Sequence, residues 1–184
     1  TVLELGSGIG FTGIAICKAC KPQTYIFSDC HPRVLKQLEE NIHFNGFLWE
    51  PESTGIQTES QGQRAGAVGS QNPRVIVAEL NWGSVTENQL LDLQPDVIIA
   101  ADVIYDPEVT SALTGMLQKL SAFRATRTPP EVYIASTIRN PDTYHLFQAG
   151  LDKVGIGWQD IPAFSNSFFL CEAQPNVTIL QLLV

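Results

Sequence analysis

The hydrophobic pattern of this chain changes period again and again, from short unbroken apolar runs to longer segments in which apolar residues return every three or four positions. The first kind reads as strands buried on both faces, the second as helices laid against them. Strands are predicted at residues 2–5, 25–28, 75–80, 97–101 and 131–137, and two more, at 157–161 and 177–184, close the chain. Helices are predicted over 11–19, 32–45, a short stretch including 89–93, 107–123 and 142–154. The second of these has Pro32 in its first turn and puts Val34, Leu35, Leu38 and Ile42 on one face, the usual start and stripe of a half-buried helix.

Strand and helix in regular alternation define a doubly wound α/β fold, a parallel sheet flanked by helices. Helices join only the first six of the seven strands, so the last must return without a helical crossover and enter antiparallel near the end of the sheet. The interval 49–73 is rich in Ser, Gly, Gln and Glu and nearly free of large apolar side chains. Too poor in buriable surface to offset its own ordering, it is predicted to be a mobile polar insertion within one domain spanning 1–184. The first strand begins with no leading helix or cap, so a longer parent protein with an upstream part is expected.

Composition narrows the function. With 184 residues and 44% hydrophobic content there is room for one core. A charge of −8, from 19 acidic against 11 basic residues, opposes a groove that tracks phosphates and suits a basic protein partner. Nucleic acid binding is therefore not expected. Four cysteines, Cys17, Cys20, Cys30 and Cys171, occur without a signal segment or an 18-residue apolar run, which points to a reducing cytoplasmic setting away from membranes, with the chain acting as a monomer. Cys17-x-x-Cys20 lies inside a helical pattern with no second pair or nearby His, so packing cysteines are expected and no metal site.

The chemistry gathers at strand ends. Glu4-Leu5-Gly6-Ser7-Gly8-Ile9-Gly10 closes the first strand with alternating glycines, which let the backbone turn tightly and approach a ligand at a helix N-terminus. Gly8, Gly10 and Gly13 also satisfy a dinucleotide fingerprint, with Asp29 near the distance expected of a ribose-gripping carboxylate. Both cofactor classes stay open on the glycines alone. Glu4 favours one: beside the loop it would repel a pyrophosphate and attract the ammonium of a methionine moiety. Asp29, ending the second strand, can take a ribose diol in two hydrogen bonds or cap the helix ahead of Pro32. Cys30 and His31 share its turn, His31 as a turn residue without a catalytic partner. After the third strand, Trp82 can cover an adenine face while Asn81 reads its edge. After the fourth, Asp102 and Tyr105 can converge on a substrate amine, the carboxylate holding the ammonium and the phenol orienting it.

These four features in this order, the Glu-x-Gly-x-Gly-x-Gly loop, Asp29, Asn81-Trp82 and Asp102-x-x-Tyr105, resemble the family 16 protein lysine methyltransferases across essentially the whole chain. The run Tyr25-Ile-Phe-Ser-Asp-Cys-His-Pro32, the helix start at 34–38, the polar insertion and the closing strand are most similar to members that act on eukaryotic elongation factor 2. The resemblance implies a Rossmann-like seven-strand class I methyltransferase sheet with an antiparallel last strand, S-adenosylmethionine as cofactor with S-adenosylhomocysteine as product, and elongation factor 2 as protein substrate. It further implies that Gly6, Ser7 and Gly8 line the methionine part, with Gly10 in the same loop, that Asp29 lies at the ribose, with Cys30 beside it among the cofactor-binding residues, that Trp82 and Ala101 lie on the adenine side, and that Asp102 and Tyr105 are the lysine-associated catalytic pair. One departure stands out: the family usually has Asp where this chain has Asn81, which keeps a hydrogen-bond acceptor and loses a charge. Two rival readings remain, a catalytically silent binding module that keeps the fold, and a nicotinamide-dependent oxidoreductase supported by Gly8, Gly10 and Gly13.

Overall fold

A computed structural model describes residues 1–51, 72–121, 128–162 and 176–184. Its elements follow in the order β1 Val2–Leu5, α1 Phe11–Ala19, β2 Thr24–Asp29, α2 Pro32–Phe44, β3 Trp49–Pro51, β4 Arg74–Glu79, α3 Glu87–Leu93, β5 Val97–Ala101, α4 Pro107–Ser121, β6 Glu131–Thr137, α5 Pro141–Lys153, β7 Gly157–Asp160 and β8 Val177–Leu183. One eight-stranded sheet results, ordered β3-β4-β2-β1-β5-β6-β8-β7. All pairings from β3 through β6 are parallel, while β8 runs antiparallel to both β6 and β7. The expected antiparallel return is therefore present, slotted between β6 and β7.

The sequence pattern predicted seven strands, and the sheet has eight. The added strand, β3, falls at the head of the interval expected to be a loop. Trp49 is half-buried against the core and pairs with Val75, and Arg74 holds Glu50 from the neighbouring strand at 2.7 Å. Three residues with one large apolar side chain leave no periodic signal; a neighbouring strand edge supplies what the local sequence lacks. The remainder of the predicted insertion, 52–71, lies outside the described residues, as does Cys171.

Alternation along the strands divides the interior in two. Leu3 and Leu5 of β1, with Ile98 and Ala100 of β5, face the helices α3 to α5, where Leu90, Leu113, Leu117, Phe147 and Leu151 are buried. Tyr25 and Phe27 of β2, with Val75 and Val77 of β4, face α1 and α2 and pack against Ile14, Cys17, Leu35, Leu38 and Ile42. Helix α1 comes close to the sheet because residue 13 is glycine: a Cβ there would stand 2.3 Å from Phe27 Cε1 and 2.6 Å from Tyr25 Cε1. The third glycine of the apparent dinucleotide fingerprint is thus a packing residue.

Chain order reverses at β1, which has β2 on one side and β5 on the other. In an open α/β sheet, the carboxyl ends of the strands flanking such a reversal leave a crevice. Register brings the relevant ends level, since Leu5 pairs with both Ser28 and Ala100, and Asp29 pairs with Glu79. Gly6, Asp29, Leu80 and Asp102 therefore leave the sheet at the same edge.

Candidate active site

At that edge lies a cavity of about 320 Å³, within the usual range of small-molecule sites, roughly 300–1,000 Å³. Gly6 and Gly8 line it from the β1 loop, Asp29 and Cys30 from the end of β2, Asn81 and Trp82 from the end of β4, Ala101, Asp102 and Tyr105 from the end of β5. The structure thus brings nine of the twelve predicted site residues to one space. Sequence reading missed the apolar wall formed by Leu80, Val103, Val109 and Ala112, ordinary aliphatic residues that stand out only once α4 is seen to cross the cavity.

The loop after β1 is held by its neighbour. Ser7 N–H donates to the Ser28 carbonyl at 2.8 Å, Ser28 N–H donates to Ser7 Oγ at 3.0 Å, and Gly8 N–H donates to Asp29 Oδ2 at 3.2 Å. Gly6 and Gly8 have φ of +63° and +53°, a region that side chains rarely enter. Their surroundings differ. A Cβ on Gly6 would press on Val103 at 3.0 Å and Trp82 at 3.4 Å, whereas one on Gly8 would meet nothing within 4 Å. Gly8 therefore presents bare backbone to open space, the place a ligand can come nearest. Asp29 spans the same corner, with Oδ1 accepting from His31 N–H at 3.1 Å, so His31 is a turn residue at the start of α2.

Three predicted cofactor residues lie elsewhere. Ser7 is buried behind the loop, bonded to Ser28 of β2 as above, with its hydroxyl donating to the Glu4 carbonyl at 3.4 Å. Gly10 caps α1 and packs against Leu38. Glu4 is the larger correction. The strand's alternation turns its side chain onto the α1 face, where it is 2% exposed among Tyr25, Cys17 and Gly13 instead of beside a ligand. Burial pushes its carboxyl up to about 7, against the easing effect of Ser7, Tyr25 and the Gly13 N–H, while Glu4 Oε2 and Tyr25 Oη complete no hydrogen bond of good geometry. Burial, and then the nearby Glu4 charge, push Cys17 up to about 12 and raise Tyr25 as well, so both stay protonated. Glu4 accordingly does not discriminate between a methionine and a pyrophosphate, and that choice must rest on other ground.

Asn81 is partly committed to its own turn. Its Oδ1 accepts from Gly83 N–H at 2.9 Å, which leaves the amide NH₂ and one lone pair outside that turn bond. At the opposite wall Asp102 has φ +56°, and its carboxylate takes two donors from the end of β6 and the turn after it: Thr137 N–H to Oδ1 and Arg139 Nη2 to Oδ2, each at 2.8 Å. The Thr137 N–H, the largest influence, holds this carboxyl below the usual carboxylate range; burial opposes it, and the Thr137 side chain and then the Arg139 guanidinium add to the lowering. Tyr105 is 63% exposed at the mouth. Asp106, next in sequence, caps α4 by accepting from Glu108 and Val109 N–H, which fixes where the phenol starts.

Known structures share this sheet. The fold matches the methyltransferase domain of bacterial CtHen1 with a TM-score of 0.57 at 13% identity, covering 99% of this chain and 89% of that one. It also matches a ribosomal protein L11 methylase from Lactobacillus delbrueckii subsp. bulgaricus with a TM-score of 0.54 at 14% identity, covering 98% and 68%. The architecture is that of the class I S-adenosylmethionine-dependent methyltransferases. Within that class the lysine methyltransferase family profile matches residues 1–59 and 63–151, and the chain belongs to that family. It is 47% identical over 181 residues to the protein-lysine N-methyltransferase EEF2KMT of Bos taurus, covering 98% of this chain and 52% of that protein. Against the Homo sapiens protein of the same name it is 46% identical over 182 residues, covering 99% and 51%. The chain thus spans about half the length of the curated relatives it matches.

Proposed function

We propose that this chain forms the S-adenosylmethionine-binding core of a protein-lysine N-methyltransferase, that residues 1–184 make one such domain, and that its substrate is elongation factor 2. The carrying observation is the convergence of Gly8, Asp29, Trp82 and Asp102 on one cavity at the chain reversal of a sheet whose family is lysine methyltransferases. Identity of 46–47% to two proteins named EEF2KMT supports the choice of substrate.

The cavity's chemistry fits the cofactor. Bare backbone at Gly8 admits close approach, Asp29 brings a carboxylate suited to a ribose diol to the cavity lining, and Trp82 with the Val103 and Val109 wall gives an aromatic and apolar bed for a purine. Cys30 and Ala101 border the same space. When bound, S-adenosylmethionine would supply a methyl on a sulfonium, electrophilic enough for direct in-line transfer to an amine.

The protein's own residues then have to bind and orient the lysine. Asp102 is held anionic near neutrality, which suits it to stabilise positive charge on the substrate nitrogen and unsuits it to take that nitrogen's proton. The lysine must therefore give up its proton to another acceptor, such as solvent, before transfer, and Asp102 stabilises the ammonium that methylation creates. Tyr105, beside the cavity and largely exposed, can orient the amine from the mouth. An acidic chain of net charge −8 favours a basic protein surface over nucleic acid, and the free thiols of Cys17, Cys20 and Cys30 suit a monomer in the reducing cytosol. Among the described residues no helix is long and apolar enough to cross a membrane.

The test is methyl transfer from labelled S-adenosylmethionine to purified elongation factor 2, with the modified residue located by mass spectrometry. Label on a lysine is the expected result. Absence of transfer to any lysine, or stabilisation by NAD in place of S-adenosylhomocysteine, would overturn the proposal.

A further inference from the structure

Resting on that reading of Asp102, we propose that Arg139 is a positioning residue, holding the Asp102 carboxylate from behind so that its free lone pairs face the cavity where a substrate amine enters. Asp102 lines the cavity, whereas Thr137 and Arg139, its two donors, do not. A carboxylate has about four lone-pair sites, and two are taken from outside the cavity. What remains is turned toward the substrate.

The backbone on either side of Arg139 is tied by hydrogen bonds. Ile138 N–H donates to the Asn176 carbonyl at 2.7 Å, and Asn140 caps α5 by accepting from Asp142 N–H at 2.9 Å and Thr143 N–H at 3.4 Å. Arg139 thus sits between two pinned neighbours. Asp102 is tied to the same strand end, its N–H donating to the Ala135 carbonyl at 2.9 Å. A backbone bond from Thr137 alone would leave the carboxylate free to swing about Oδ1; the guanidinium at Oδ2 makes a second anchor and removes that freedom.

Exposure makes a purely structural role a poor fit. Arg139 and Asp102 side chains are 66% and 43% exposed, and ion pairs so placed contribute little to folding. Their contact instead sets the direction of a charge at the substrate's side of the cavity. Because Arg139 uses one nitrogen here and not its bidentate fork, a lysine at this position can replace much of its effect.

The experiment compares wild type, Arg139→Ala and Arg139→Lys on the full chain, using elongation factor 2 as substrate and S-adenosylhomocysteine as the cofactor-site probe. Expected for Arg139→Ala is a fall in kcat of about tenfold, with melting temperature unchanged and S-adenosylhomocysteine affinity within about twofold of wild type, and recovery of most of the loss in Arg139→Lys. A second readout needs no turnover: three-bond NMR couplings across χ1 of Asp102 should report one rotamer in wild type and averaging in Arg139→Ala. Wild-type transfer matched by Arg139→Ala, or Asp102 couplings unchanged by the substitution, overturns the positioning role alone. A wild type that transfers no methyl to any lysine overturns the functional reading beneath it.

Discussion

Replacing Glu4 by Gln removes one titrating group from a layer where everything else is apolar or stays protonated. Glu4 lies opposite Phe27 in the β1–β2 register and is packed under α1, with its carboxyl raised from 4.5 to about 7 by burial. The unfolded chain loses this proton near 4.5 and the folded chain keeps it to about 7, so between these values the folded state binds more protons and stability falls as pH rises. A difference of that size amounts to about 3 kcal/mol across the window, at about 1.36 kcal/mol per pH unit. Below about 4.5 the cost vanishes; above about 7 it is fully present.

Glu4→Gln keeps the shape and abolishes the charge. Its amide must find an acceptor, for which Tyr25 Oη is at hand; should it fail, the penalty of about 1 kcal/mol is the same at every pH and leaves the slope untouched. Urea unfolding at pH 5, 6, 7 and 8 should therefore show wild type losing stability relative to Glu4→Gln as pH rises, the gap widening by up to about 3 kcal/mol, or roughly 6–12 °C in melting temperature for a chain of this size. Tyr25 and Cys17 are both pushed upward and stay protonated throughout, so neither can mimic the effect. Parallel stability curves for the two proteins from pH 5 to 8 would refute the assignment of a buried, raised carboxyl to this position.

Three other substitutions probe the site and its support. Asp102→Ala should lower turnover on elongation factor 2 by about a hundredfold or more while S-adenosylhomocysteine affinity, measured by calorimetry, stays within a few-fold; an equal loss of both would move Asp102 into the cofactor's binding set. Gly8→Val forces a branched side chain to a φ of +53° and into the cavity, so the thermal shift given by S-adenosylhomocysteine should disappear, and an undiminished shift would show that the ligand lies elsewhere. Gly13→Ala puts a methyl 2.3 Å from Phe27 and 2.6 Å from Glu4 Oε2, and overpacking of about 1–3 kcal/mol should outweigh the helical gain of about 0.5–1 kcal/mol; a higher urea midpoint than wild type would count against the packing role given to this glycine.

What was legible in the sequence, and what was not, follows from how far each feature reaches. Strand and helix periods are local, and β1, α1, β5 and β6 fall at the predicted residues, with boundaries of other described elements shifted by a residue or two. β3 escaped because its cause lies in its partner: Trp49 and Glu50 are held by Val75 and Arg74, more than 20 residues away in the chain. Glu4 was misplaced although the signal was present. With Leu3 and Leu5 committed to one face, a period of two sends residue 4 to the other face, under α1, and a strand-interior carboxylate should be expected there before it is expected at the loop. Arg139 is the opposite case, since nothing in its neighbourhood marks it. It becomes visible only when the parallel pairing of β5 with β6 sets Ala101 beside Ala135, after which the residues just beyond β6 are the ones that can reach a carboxylate just beyond β5. The same step can be taken without coordinates: once a strand order is proposed, the last residue of each neighbouring strand and the two or three that follow it are the places to look for the donors that hold a strand-end acid, and in this sheet that search leads from Asp102 to Thr137 and Arg139.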